Sequence, residues 1–77
     1  MASVEKIIDK MRRQPRNISY AEAVKVLNHY GYDLKRKGAT SHRVYADDNG
    51  DVFVLKDTNP LKISYITEIL ERLVGEE

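Results

Sequence analysis

The stretch that decides the fold is YDLKRKGATSHRVYADDNGDVFVL, residues 32–55. Tyr32, Leu34 and Arg36 alternate with Asp33, Lys35 and Lys37, the period-2 pattern of a half-exposed strand. Gly38, Ala39 and Thr40 make a short turn, and residues 41–46 form a second strand. Asp47, Asp48, Asn49 and Gly50 tolerate left-handed backbone and suit a hairpin, which leads into a third strand at residues 51–55. Short turns of this kind join antiparallel neighbours.

On both sides of this stretch the apolar period is helical. Val4, Ile7, Ile8 and Met11 lie on one face of a first helix over residues 3–11, with Ser3 as its N-cap. A basic connection, Arg12 to Asn17 in number order, follows, and Pro15 turns the residue before it away from helix. Ser19 and Glu22 form a Ser-x-x-Glu capping box with Ile18 ahead of it, so a second helix starts there. Its stripe runs through Val24, Leu27 and Tyr30 or Gly31, and Gly31 ends it after Tyr30. Residues 56–63 read as irregular around the turn signal Asn59-Pro60. Ser64 then caps a closing helix carrying Ile66, Ile69, Leu70 and Leu73, which Gly75 stops. The expectation is an α+β fold of order α-α-β-β-β-α, a three-stranded antiparallel sheet with its helices on one face.

At 77 residues the chain has room for one domain, read as an N-terminal helix and basic connection at 1–16 followed by a core at 17–77. Multi-domain enzymes are excluded, and a core this thin favours a shallow surface site over a deep pocket. Zero cysteines exclude a disulfide framework, a thiolate zinc site and a thiol nucleophile, which fits a cytoplasmic setting. Charges interrupt the apolar positions of the N-terminus, so no signal peptide or membrane span is expected there.

The formal net charge of +1 conceals an asymmetry. Residues 1–43 hold ten basic and four acidic side chains, a balance of +6, while residues 44–77 hold three and eight, a balance of −5. The basic half suits a polyanion and the acidic half a complementary protein.

Two histidines are available for proton chemistry. His29 falls with Glu22 and Lys25 on the polar side of the second helix and reads as a solvated surface residue. His42 differs: it follows Lys35, Arg36 and Lys37, abuts Arg43 and begins a strand. Imidazole exchanges protons near neutrality, and neighbouring cations favour its neutral, proton-accepting form. The same cations attract a phosphodiester backbone. His42 and Tyr45 are three apart, so a regular strand points them to opposite faces; with Tyr45 beneath the helices, His42 stands on the open face. Asp47, Asp48 and Asp51 lack the spacing of a calcium loop and read as a solvated hairpin tip. No phosphate loop, dinucleotide fingerprint or helical histidine pair occurs. Most of the five tyrosines sit at core-like positions, with Tyr32 and Tyr45 the two candidates for stacking on bases.

The segment Gly38-Ala39-Thr40-Ser41-His42-Arg43-Val44-Tyr45 resembles the Gly-Ser-His-x-x-aromatic motif of the HicA toxins, RNA-cleaving members of type II toxin-antitoxin pairs. The run Pro15-Arg16-Asn17-Ile18-Ser19-Tyr20, the exit through Gly31-Tyr32, and Pro60-Leu61-Lys62 before the last helix are similar to members with an extra N-terminal helix. One departure is that Ala39 and Thr40 separate Gly38 from Ser41. The resemblance covers roughly residues 8–73. It implies a fold like double-stranded-RNA-binding domains, an mRNA-cleaving activity with His42 as the essential residue, no metal or cofactor, and a HicB-like antitoxin that covers the basic surface. Lys35, Arg36, Lys37, Ser41 and Arg43 are the accompanying RNA-binding candidates. The general acid has no candidate histidine, leaving a lysine, a water or a second protomer. A non-catalytic RNA-binding module and a protein-interaction domain using the acidic half are the competing readings.

Overall fold

The computed structural model describes residues 3–38 and 42–75. Its elements run α1 (Val4–Arg13), α2 (Tyr20–His29), β1 (Asp33–Lys37), β2 (His42–Ala46), β3 (Val52–Lys56) and α3 (Ile63–Ile69), which continues into a π-helical turn, Leu70–Val74. The expected α+β order is present, and the sheet is antiparallel in the order β1-β2-β3. Among the described residues no helix is long and apolar enough to cross a membrane.

Local chemistry accounts for the helix boundaries. Ser3 Oγ accepts from the Lys6 N–H at 3.3 Å, starting α1. This helix runs to Arg13, two residues past the expected end, and its last-turn Lys10, Arg12 and Arg13 complement the negative end of the helix dipole. At α2 both halves of the capping box are made. The Glu22 N–H donates to Ser19 Oγ at 3.2 Å, and the Ser19 N–H donates to Glu22 Oε1 at 2.9 Å. Beyond Tyr30, Gly31 takes φ +90°, a conformation that costs a side-chain-bearing residue roughly 1–2 kcal/mol.

The buried stripe of α2 is Ala23, Val26 and Leu27, with Val24 only partly covered and Tyr30 exposed. The expected stripe through Val24 and Tyr30 is therefore rotated. Three apolar residues at i, i+3 and i+4 make a more continuous strip than Val24 and Leu27 do, and the helix turns that strip inward. At α3 the N-cap is Lys62, not Ser64, which lies within the first turn. Leu61 is the reason: its side chain is buried and its N–H donates to the Ile18 carbonyl at 2.9 Å, so the chain is anchored two residues before the helix opens. Asn59 Oδ1 accepts from the Tyr20 N–H at 2.8 Å, tying the same connection to the start of α2.

One hydrophobic cluster unites the molecule, combining Ile7 and Met11 of α1, Ala23, Val26 and Leu27 of α2, Tyr45, Phe53 and Leu55 of the sheet, and Ile66 and Ile69 of α3. The helices thus cover one sheet face. The β2–β3 hairpin closes on Asp47, whose carboxylate accepts from the N–H groups of Asn49 (3.0 Å) and Asp51 (2.8 Å) while Gly50 adopts φ +84°. At the same end Tyr32 donates to Asp51. Arg72 bonds Asp51 (2.7 Å) and Glu68 (2.8 Å) and lies 4.1 Å over the Phe53 ring, fastening the C-terminal turn to the sheet.

Candidate functional site

Strand alternation on β2 and β3 separates two sets of side chains. Tyr45, Phe53 and Leu55 face the helices and are buried. Residues one step away, His42, Val44, Ala46, Val52, Val54 and Lys56, face the other way, where Val52 and Val54 remain 46% and 41% exposed. His42 stands on this open face at the first position of β2, as the opposition to Tyr45 required.

Register determines its neighbours. Lys56 is directly opposite His42, Val54 is opposite Val44, and Arg36 of β1 is opposite Val44 on the other side. Directly opposed residues place their Cβ atoms about 4.5–5.5 Å apart on the same face, and diagonal ones about 7–8 Å. His42 therefore has Lys56 as its cross-strand neighbour and Arg36 as its diagonal one. Among the described residues neither Arg36 nor Lys56 is in an ion pair. The Gly38 N–H donates to the His42 carbonyl at 2.8 Å, and a methyl at Gly38 would lie 3.4 Å from that oxygen and 3.5 Å from His42 Cβ, so Gly38 packs close against the histidine; the turn expected at Ala39 and Thr40 lies outside the described residues.

The sequence-derived cluster is only partly assembled. Arg36 shares the open face with His42. Lys35 occupies a β-bulge between Leu34 and Arg36, and Lys37 pairs with Arg43. Arg43 belongs to the face of Tyr45; it bonds the His42 carbonyl at 3.1 Å and bridges to Asp57 at 3.4 Å. Its guanidinium is thus directed to a carboxylate on the far side of the strand from the imidazole. Ser41 lies outside the described residues. The bulge also overturns the expected alternation of β1: Leu34 pairs with Tyr45 and Arg36 with Val44, so these two residues face opposite sides.

Lys56 is the residue missed in the sequence. It lies 14 positions from His42, and its only signal is position: an antiparallel hairpin whose tip is residues 47–51 brings the two together. His29 is exposed, edge-on to Tyr30 at 5.2 Å, and its helix neighbour Glu22 is engaged with Ser19 and Lys10. Although burial opposes ionisation of Glu22, the Ser19 N–H and Lys10 ammonium hold its carboxyl below the usual range. Tyr32 and Tyr45, the two candidates for stacking on bases, are each only 3% exposed and belong to the core, as Tyr45 beneath the helices implied. Burial, then a hydroxyl bond to Tyr20 at 2.6 Å, raises the Tyr45 phenol; burial, then Asp51, pushes Tyr32 up to about 12. Among the described residues no three His, Asp or Glu side chains form a metal-binding group.

The open face therefore presents a histidine between two cations beside an apolar strip, a surface able to accept a proton while holding an anionic phosphodiester. No family model, curated protein or solved structure matches the chain.

Proposed function

We propose that this chain is a small cytoplasmic endoribonuclease, the toxin of a HicA-like toxin-antitoxin pair, cleaving mRNA with His42 as its proton acceptor. The observation that carries the reading is the position of His42 on the uncovered sheet face, with Lys56 opposite and Arg36 diagonal to it. The order helix, three-strand meander, helix, with the helices on the opposite face, agrees with a double-stranded-RNA-binding-domain-like core preceded by one extra helix.

The chemistry needs little depth. RNA carries its own nucleophile, the 2′-hydroxyl, adjacent to the phosphate it attacks. His42 removes that proton, a contribution of typically about 10²- to 10⁴-fold. Arg36 stabilises the charge that builds on the phosphorus oxygens, an effect worth about 10²- to 10³-fold by analogy with an oxyanion donor. In-line attack requires the 2′-oxygen, phosphorus and 5′-oxygen to align, which a flexible single strand permits and an A-form duplex resists. Single-stranded mRNA is accordingly the substrate class. A HicB-like antitoxin silences the enzyme by covering the basic rim and His42.

Purified protein is expected to convert single-stranded RNA to fragments ending in a 2′,3′-cyclic phosphate or its hydrolysis product. His42→Ala abolishes this while the thermal melt is unchanged, because the side chain is exposed. Full activity in that variant, or 3′-hydroxyl ends, overturns the assignment. RNA retention that is salt-sensitive and insensitive to His42→Ala, without cleavage, identifies a binding module instead.

A further inference from the structure

We infer that Lys56 is the general acid of this site, donating the proton that the departing 5′-oxygen requires. The inference rests on the ribonuclease reading and completes it, since His42 accounts for only one of the two proton transfers.

The cations near His42 in sequence are poor candidates in space. Arg43 belongs to the opposite face and is bridged to Asp57 at 3.4 Å. Lys37 is paired with Arg43 and shares its side of the sheet, and Lys35 occupies the bulge. Arg36 is on the correct face but is diagonal to His42, and a guanidinium does not give up a proton in proteins. Among the described residues Lys56 alone combines the three requirements. It is directly opposite His42, it is on the same open face, and it is an ammonium, which is charged at neutral pH yet able to donate. Its cross-strand spacing, about 5 Å between Cβ atoms, leaves room for one phosphate to sit between the imidazole and the ammonium. Val54 and Val44, the next pair along the ladder, form an apolar floor beside them that carries no competing acceptor side chain.

The step balances. His42 takes the 2′-hydroxyl proton, the 2′-oxygen–phosphorus bond forms, the phosphorus–5′-oxygen bond breaks, and the Lys56 ammonium protonates the leaving oxygen. A 2′,3′-cyclic phosphate and a 5′-hydroxyl result. His42 is left protonated and Lys56 neutral, and water returns both to their starting states.

The test compares two dinucleotide-centred RNA substrates, one with the natural 5′-oxygen at the scissile bond and one with a bridging 5′-sulfur. A thiol has a pKa of about 8.5, so a thiolate departs without first gaining a proton. Lys56→Ala is expected to slow cleavage of the oxygen substrate by about 10²- to 10⁴-fold and to leave the sulfur substrate close to the wild-type rate. Lys56→Arg, which keeps the charge, is expected to stay slow on oxygen. His42→Ala is slow on both. Thermal melts of each variant confirm folding. Equal slowing of Lys56→Ala on both substrates, or recovery by Lys56→Arg, reduces Lys56 to a phosphate contact and overturns the acid assignment. Undiminished cleavage of the oxygen substrate by Lys56→Ala overturns it outright while leaving the ribonuclease reading intact. A wild-type protein inert on both substrates overturns that reading and the inference with it.

Discussion

The hydroxyls of Tyr20 and Tyr45, 2.6 Å apart, join the start of α2 to the covered side of β2, and their unequal burial predicts an unequal response to mutation. Tyr45 is 3% exposed, whereas Tyr20 is half-buried at the edge of the core. Tyr20→Phe leaves the Tyr45 hydroxyl in place without its partner and away from water, a loss of about 1–3 kcal/mol. Tyr45→Phe leaves the Tyr20 hydroxyl, which water reaches, so only the net value of one hydrogen bond is lost, about 0.5–1.5 kcal/mol. The double variant replaces both partners by apolar rings of nearly the same shape and is expected to be no less stable than Tyr20→Phe. The coupling energy is then about 1 kcal/mol or more in favour of the pair. Urea unfolding checks this, with the midpoint shifting and the slope unchanged. In a domain of this size each kcal/mol moves the melting temperature by roughly 4–8 °C. Cleavage of RNA at a temperature well below the melt is expected to persist, because Tyr45 and His42 lie on opposite faces of β2. Equal costs for the two single variants, with a double variant equal to their sum, would refute the burial argument.

Two further outcomes follow from the same structure. Arg36→Ala is expected to weaken RNA binding without altering where cleavage occurs, and to reduce the slope of log affinity against log salt by about 0.7, the value of one phosphate contact to a single strand; an unchanged slope removes Arg36 from the site. Stability has a limb at each end of the pH scale. The phenols of Tyr32 and Tyr45 are raised above their ordinary value of about 10, so their stabilising contribution is complete below that pH and is lost as pH rises through the folded values, about 12 for Tyr32. Asp51 is lowered, first by the Tyr32 hydroxyl and then by Arg72 against an opposing burial effect, so its contribution is present above about pH 3.9 and lost as pH falls through its folded value. Urea midpoints across pH check both limbs: Tyr32→Phe should flatten part of each, and an unaltered profile would exclude the Tyr32–Asp51 bond as their source.

Features that depend on a few neighbouring residues were legible in the sequence. The capping box at Ser19 and Glu22, the positive φ at Gly31, the Asp47–Gly50 hairpin and the opposition of His42 to Tyr45 are all local in origin. Composition also exposed the +6 and −5 halves, and that asymmetry drew attention to the residues leading into His42. Folding redistributed them. Arg43, adjacent to the histidine in the chain, is turned to Asp57, while Lys56, from the acidic half, is placed at its side.

By itself, then, the sequence determined the order of elements, where most of them begin and end, and that one histidine would stand on the uncovered face, because caps, turns and strand parity act over two to four residues. Tertiary structure alone decided which cations accompany it. The bulge at Lys35 and the β2–β3 register are set by pairing between distant segments as Tyr45, Phe53 and Leu55 seek the helices, and a shift of one residue in either would exchange the two faces and send Arg36 or Lys56 away from His42.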